Sequence, residues 1–145
     1  MEYGPKVAVS HVGGFTFVDE FVYANFSEAT VLPEQVKAYE RRFGKSPPSV
    51  TTDRIYGNRD NRTMLKEKGI RSALLPLGRP NEDAQNHTRW RKKKQRERNR
   101  IEGAFGCAKE YYGLDRIRYA GEEGGETWVR LGFPGMNLIT AMRRA

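Results

Sequence analysis

The chain has 145 residues, a formal net charge of +8, 37% hydrophobic and 11% aromatic residues. A chain of this length has room for one ordinary domain, complete or incomplete, and is too short for two of comfortable size. Its aromatic content excludes a disordered polyelectrolyte. Its single cysteine, Cys107, excludes an internal disulfide and is expected to be a small core residue. No apolar run approaches the roughly 20 residues of a bilayer span, so we expect an intracellular protein without membrane contact.

The predicted elements begin with a β-hairpin at residues 5–24, where two stretches rich in β-branched and aromatic residues flank a Gly-Gly pair. A helix is expected over residues 33–43, because apolar residues recur there at helical spacing between a first-turn proline and a closing glycine. After a Pro-Pro turn, residues 49–53 (SVTTD) predict a strand that ends at Asp53.

A second helix is predicted over residues 59–68, with Asn58 or Asp60 as its cap and a glycine at its end. Residues 70–75 indicate another strand. The prolines and glycine at residues 76–80 then break the chain into a loop.

A long helix is predicted over residues 84–112, very polar at first and apolar along one face of its later turns. The positions of that face are Ile101, Phe105, Ala108 and Tyr112. A flexible link is expected at residues 121–125, followed by an apolar helix over residues 127–143 that Pro134-Gly135 interrupts. Taken in order, the strands and helices indicate an α/β fold.

Positive charge is concentrated at residues 89–100, the basic segment, which contains eight cations and one acidic residue. The cations are Arg89, Arg91, Lys92, Lys93, Lys94, Arg96, Arg98 and Arg100. Charge of this density attracts polyanions by neutralising phosphates and releasing counterions. A solvated helix face is the alternative interpretation of such a run.

Two carboxylates are candidates for chemistry. Asp53 follows a predicted strand, where open α/β sheets bind ligands, although aspartate also favours turns and caps. On the long helix, Arg98 and Lys109 fall within about 40° of Glu102, at the edge of the apolar face. From spacing alone, Glu102 is either one partner of a surface salt bridge or a metal ligand whose cationic neighbours hold DNA phosphates.

Three stretches, taken in order, carry a family resemblance. Residues 50–62 (VTTDRIYGNRDNR), 69–80 (GIRSALLPLGRP) and 98–118 (RNRIEGAFGCAKEYYGLDRIR) resemble the C-terminal half of DDE insertion-sequence transposases with an RNase-H-like catalytic domain. Residues 4–26 and the helix that ends in Arg-Phe-Gly are similar to the middle region of that family. The resemblance covers nearly the whole chain.

The resemblance implies site residues one by one. Asp53, in an Asp-x-x-Tyr motif with Tyr56, is similar to the second catalytic aspartate, and Glu102 to the catalytic glutamate. Arg98 and Lys109 match the basic positions of a Tyr-x-x-Arg-x-x-x-Glu-x₆-Lys signature, whose tyrosine is replaced here by glutamine.

The implied activity is DNA cleavage and strand transfer with two Mg²⁺ or Mn²⁺ ions, which require oxygen ligands such as carboxylates. The implied partners are DNA, as element ends and target, and either a second copy of the chain or an upstream transposase fragment. No membrane is involved, and the expected location is the cytoplasm, associated with the nucleoid.

The chain also departs from the family, whose first aspartate lies on a strand upstream of the hairpin. Asp19 and Glu20 belong to the second hairpin strand and are not taken as substitutes. We therefore expect an incomplete RNase-H-like α/β domain that lacks the first central strand, has unpaired sheet edges and is catalytically incomplete on its own. Whether the chain is an enzyme stays open at this point.

Several alternatives remain open. The gene is either a degenerate remnant or the downstream half of a frameshifted element. A non-catalytic DNA-binding remnant or regulator of transposition would bind DNA without needing metal. An unrelated basic RNA-binding α/β domain would use Trp90, Tyr111 and Tyr112 as stacking platforms.

Overall fold

The computed structural model describes residues 5–24, 27–74, 84–119 and 121–145. Its elements are β1 (Lys6–Val12), β2 (Phe15–Val22), α1 (Leu32–Phe43), β3 (Ser49–Val50), α2 (Arg59–Glu67), β4 (Arg71–Ser72), α3 (Ala84–Tyr112) and α4 (Glu122–Met142). Short 3-10 turns lie at Glu28–Thr30 and Arg54–Tyr56. The chain is thus mixed α/β, and its elements follow the predicted order.

The chain divides into two compact units. The terminal unit comprises residues 1–25 and 101–145, and the central unit comprises residues 26–100. Each has its own cluster of buried hydrophobic residues, and each contains a two-stranded sheet in its described part. Helix α3 is continuous across the boundary, so its basic segment belongs to the central unit and its apolar turns to the terminal unit.

The hairpin of the terminal unit pairs β1 antiparallel to β2, with Lys6 opposite Val22 and Val12 opposite Phe15. The turn needs glycine, because Gly13 has a φ of 59° and the next residue a φ of 93°. The predicted hairpin is therefore present.

The core of the terminal unit forms where α3 and α4 bring aromatic and aliphatic side chains to the hairpin. Its buried residues are Phe21, Ala108, Val129, Phe133 and Met136. Phe105 of α3 meets Phe133 edge to face, with ring centroids 5.9 Å apart, and Tyr112 and Cys107 pack against the same cluster. The apolar face predicted for the long helix thus faces this core, and Cys107 packs against it as expected.

The side chain of Asn137 fastens α4 to β2. Its Oδ1 accepts a hydrogen bond from the Thr16 backbone N–H at 2.8 Å, and its Nδ2 donates to the Thr16 carbonyl at 2.6 Å. Thr16 is only 2% exposed, so water cannot easily replace Asn137 as the hydrogen-bond partner of its backbone groups. Asn137 thereby satisfies the donor and the acceptor of one buried strand residue.

Two expectations about the C-terminal region were wrong. Residues 122–125 are not a flexible link, since α4 begins at Glu122 and includes both Gly124 and Gly125. A side chain at Gly125 would collide with the Tyr23 hydroxyl, so glycine serves close packing here. Pro134 does not end the helix either, since α4 continues through it to Met142, with the proline ring on the exposed face.

The central unit packs α1 and α2 around a cluster of Leu32, Val36, Leu65, Ile70 and Leu74. Helix α1 ends at Gly44, whose φ of 69° is left-handed, as the predicted closing glycine requires. Helix α2 begins after Asn58, whose side chain accepts a hydrogen bond from Asn61 N. Of the two predicted caps, Asn58 is therefore the one used.

The two predicted strands of the central unit are shorter than expected. Strands β3 and β4 pair in parallel over two residues each, with Ser49 opposite Arg71 and Val50 opposite Ser72. Just beyond the ladder, Ala73 N donates to the Val50 carbonyl at 3.1 Å and Leu74 N donates to the Ser72 hydroxyl at 3.1 Å. Leu75 and the predicted loop at residues 76–80 lie outside the described residues.

None of the described helices has the length and apolarity needed to cross a membrane.

We predict that Asn137→Ala lowers the free energy of unfolding of the terminal unit by about 1–3 kcal/mol, because Thr16 keeps two buried backbone groups without partners. Urea unfolding is followed by Trp128 fluorescence in a Trp90→Phe background, since these are the two tryptophans of the chain. Asn99→Ala, which changes an exposed helical asparagine, is the matched control. Equal midpoints for the two variants would contradict the role given to Asn137.

Candidate functional site

Asp53 lies beyond the end of β3 rather than on the strand itself, which corrects the predicted strand at residues 49–53. It precedes the 3-10 turn at Arg54–Tyr56 in an extended conformation, with φ −73° and ψ 165°. Its Oδ1 accepts a hydrogen bond from Arg54 N at 2.7 Å, and its carbonyl accepts one from Tyr56 N at 3.2 Å. Asp53 is therefore the cap of this turn, and its carboxylate has a defined position.

The Asp53 carboxylate also forms an ion pair with the basic segment. Nη1 of Arg98 lies 3.0 Å from Oδ1 of Asp53. The Asp53 side chain is 64% exposed, whereas that of Arg98 is 25% exposed. Two residues selected from the sequence for separate reasons are thus brought together within the central unit.

Asn61 supports the turn that Asp53 caps. Its Nδ2 donates hydrogen bonds to the Tyr56 carbonyl at 2.9 Å and to the Ala29 carbonyl at 2.8 Å. The residue is 2% exposed, so these bonds are made in a dry environment. Sequence reasoning gave Asn61 no role. The available signal was an asparagine inside a helix, a position that asparagine does not favour.

Tyr56, the supporting residue of the Asp-x-x-Tyr motif, is half-buried and packs against the hydrophobic cluster of the central unit. The next carbonyl along the chain, that of Gly57, accepts a hydrogen bond from Nε of Arg62 at 2.8 Å. In this motif, Tyr56 holds the end of the turn against the hydrophobic cluster, and Asp53 at the start of the turn is exposed to solvent.

The cations of the basic segment all lie on α3. Exposed members are Arg89, Lys92, Lys93, Arg96 and Arg100, and half-buried members are Arg91, Lys94 and Arg98. Lys94 pairs with Glu97 at 2.6 Å, and its hydrogen bond is the main reason why the pKa of the Glu97 carboxyl is lowered. Most of the cationic surface of this helix is thus open to a polyanion.

The three aromatic residues of the RNA-binding alternative, Trp90, Tyr111 and Tyr112, have different environments. The Arg71 guanidinium lies over the ring of Trp90, 4.0 Å from its centroid. Tyr112 packs against the core of the terminal unit, and Tyr111 is 71% exposed. Two of the three rings are therefore engaged within the protein, which weakens the RNA-binding alternative.

Glu102 and Lys109 lie on the part of α3 that belongs to the terminal unit, and both are exposed. Glu102 stands next to Ile101, at the border of the apolar face, as the helical spacing predicts. The regular backbone of α3 thus fixes the point from which the Glu102 side chain extends into solvent.

The fit of these residues to a divalent cation rests on their donor chemistry. Carboxylate oxygens are the hard ligands that Mg²⁺ and Mn²⁺ prefer, and Asp53 and Glu102 both present them at the surface. In the part of the chain that the structure describes, no group of three or more histidine, cysteine, aspartate or glutamate side chains forms a metal site. The two carboxylates fit as individual ligands, and a full ligand set is not assembled from the described residues.

A comparison with protein families places a match over most of the C-terminal two thirds of the chain. The model described as "Transposase DDE domain" matches residues 50–138, more than half of the chain, and this range includes Asp53, Glu102, Lys109 and the whole basic segment. No match is found among curated proteins, and none among solved structures.

We predict that Asn61→Ala destabilises the central unit by about 1–3 kcal/mol, because the buried Ala29 carbonyl and the part-buried Tyr56 carbonyl lose their donor. Urea unfolding is monitored by Trp90 fluorescence in a Trp128→Phe background, again with Asn99→Ala as the exposed control. A loss of stability no larger than that of the control would show that Asn61 does not hold the turn next to Asp53.

Proposed function

The chain belongs to the family of transposase DDE domains, and we propose that it contributes two carboxylates and a DNA-binding surface to the catalytic domain of an insertion-sequence transposase. The observation that carries this proposal is that the family match includes Asp53, Glu102 and the basic segment. The reaction class is metal-dependent cleavage and joining of DNA strands.

We assign Asp53 and Glu102 as ligands of Mg²⁺ or Mn²⁺. When bound, such ions activate the attacking oxygen and stabilise the leaving one during phosphoryl transfer. The turn capped by Asp53 and the regular backbone of α3 at Glu102 support the assignment, since both hold a carboxylate without a long flexible tether. Arg98 and Lys109 are the cations that hold DNA near these carboxylates.

The fold proposed for the working domain is RNase-H-like, in which a further central strand bears another catalytic aspartate. Each sheet in the described residues has two strands, so β1 and β3 each have one partner there. An isolated two-stranded sheet has marginal stability in water, and a sheet edge with unpaired peptide groups can bind another strand. A separate upstream polypeptide is the proposed source of that strand.

The basic segment is the proposed DNA interface. Its exposed cations project from a single helix, and several of them meet phosphates without reading the bases. Binding is therefore expected to depend strongly on salt and weakly on sequence.

Charge reversal of Arg91, Lys92, Lys93 and Lys94 is expected to weaken duplex DNA binding at least tenfold. It should also lower the salt slope, by close to one unit for each phosphate that the variant no longer neutralises. Fluorescence anisotropy across a salt series provides both values. The control reverses Arg41, Lys45, Arg59 and Lys66, four exposed cations elsewhere in the chain, for the same change in net charge. If both variants bind DNA equally weakly, net charge and not the basic segment determines binding.

A non-catalytic regulator of transposition is the second candidate function. It is favoured by the density of the basic segment, whose cations bind phosphates without a metal ion. Such a protein occupies DNA equally well with EDTA or with Mg²⁺, which separates it from the catalytic proposal.

We predict that the chain alone does not nick element-end DNA in Mg²⁺, and that an upstream transposase fragment bearing the first aspartate restores nicking. The reason is that two carboxylates hold the metal ions less completely than three and provide much less electrostatic preorganisation. Asp53→Ala and Glu102→Ala abolish the restored activity, whereas Asp60→Ala leaves it intact. Asp53-dependent nicking by the unaccompanied chain would show that a residue of this chain replaces the first aspartate.

A further inference from the structure

We propose that Arg71 is a further DNA-binding residue, and that Trp90 is the positioning residue that holds the Arg71 guanidinium ready for a DNA phosphate. The DNA interface then includes β4 as well as the basic segment of α3. This inference rests on the proposed function, because it takes the basic segment as the DNA interface.

The contact between Arg71 and Trp90 is the starting observation. The guanidinium carbon of Arg71 lies 4.0 Å from the centroid of the Trp90 ring. Arg71 lies on β4 and is exposed, whereas Trp90 is half-buried on α3, between Arg89 and Arg91 in the chain. A cation from a strand is thus placed against a residue of the basic segment, and both belong to the central unit.

Both ends of the Arg71 side chain are held. At its base, Arg71 N donates a hydrogen bond to the Pro48 carbonyl at 3.3 Å, and Arg71 stands opposite Ser49 in the parallel ladder. At its tip, the Trp90 ring attracts the guanidinium. An arginine that is already ordered loses less conformational freedom when it binds an anion, so support by Trp90 raises its affinity for one.

Contact with the ring leaves the hydrogen-bond donors of the guanidinium available. The ring covers one face of this planar group, whereas the five N–H donors lie in its plane. Two parallel N–H bonds of such a group match two oxygen atoms of a phosphate. A guanidinium supported on one face can therefore bind a phosphate at its edge.

The charge of Arg71 is also available to a polyanion. The two acidic residues that pair with the basic segment, Asp53 and Glu97, have Arg98 and Lys94 as their partners. Arg71 forms no ion pair with any residue that the structure describes. Its positive charge adds to that of the basic segment without a carboxylate to offset it.

A purely structural contact between β4 and α3 is the competing interpretation. An exposed cation–π contact shifts an equilibrium by only about two- to fivefold, so its removal is expected to leave the central unit folded. The two interpretations differ in the salt dependence of DNA binding. Loss of a phosphate contact lowers the salt slope by close to one unit, whereas loss of a structural contact does not.

The first test measures the affinity of the full chain for a short labelled duplex across a salt series. We expect Arg71→Gln to weaken binding by about three- to tenfold and to lower the salt slope by close to one unit. Arg71→Lys is expected to keep the slope and still bind more weakly than wild type, because an ammonium group cannot form the bidentate contact.

The matched control is Arg59→Gln, which removes an exposed cation of the same unit outside the proposed interface. If Arg59→Gln and Arg71→Gln lose the same affinity and the same slope, Arg71 is not a phosphate ligand. That result is distinct from failure of the proposed function, which the charge reversal of residues 91–94 tests separately.

The second test is a double-mutant cycle that isolates the role of Trp90. Trp90→Leu removes the aromatic face but retains an apolar helix former, and Trp90→Phe retains a ring. We expect Trp90→Leu to weaken duplex binding by about two- to fivefold in the wild-type background and hardly at all in the Arg71→Gln background. Trp90→Phe is expected to stay close to wild type. Equal losses from Trp90→Leu in both backgrounds would show that Trp90 does not act through Arg71.

The third test observes the ring directly, in a Trp128→Phe background where Trp90 is the single tryptophan. Arg71→Gln is expected to increase acrylamide quenching of Trp90 fluorescence in the free protein, because the guanidinium no longer covers the ring. Bound duplex is expected to leave the ring of the Arg71 protein protected. Tighter binding of single-stranded DNA than of duplex, with strong quenching of Trp90, would show that a base replaces Arg71 on the ring and would overturn the proposal.

Discussion

The two hydrogen bonds donated by the buried Asn61 amide are the constraint on which the candidate site of the central unit depends. One holds the Tyr56 carbonyl, at the end of the turn that Asp53 caps, to the helix whose first turn Asn58 caps, and the other holds the Ala29 carbonyl to the same helix. Because the turn is fixed from inside, Asp53 can remain largely exposed and still meet Arg98 at 3.0 Å. The position of this exposed carboxylate thus depends on a buried amide whose hydrogen bonds are satisfied.

Helices and tight turns were the predictable part of this fold, because their signals are local. Helix α3 spans residues 84–112 as the sequence indicates, and glycine marks the end of α1. Strand length was not predictable, since β-branched residues favour extended backbone but the ladder requires a partner of equal length. The start of α4 was misread because glycines usually weaken helices, whereas Gly125 is retained for close contact with Tyr23.

In the candidate site, too, local features could be predicted from the sequence, whereas contacts between distant residues could not. Residue types and spacing alone left the roles of Asp53 and Glu102 open, and the family resemblance pointed to them as catalytic candidates. Helical spacing placed Arg98 one turn before Glu102. What sequence spacing cannot supply is a contact between distant elements, so the pairing of Asp53 with Arg98 emerged only from the folded central unit. The role of Asn61 was hidden for a related reason: its partners include the Ala29 carbonyl, in a different turn of the chain.

The glycines of α4 also carry information on the history of the gene. Gly125 is buried, and any side chain there meets Tyr23, whereas Gly135 is exposed with open space around it. Replacement by alanine is therefore harmful at the first position and, by helix propensity, favourable at the second. In a lineage whose product still folds, selection removes changes at Gly125 and permits them at Gly135. In a lineage that no longer makes a folded product, both codons drift at the same rate.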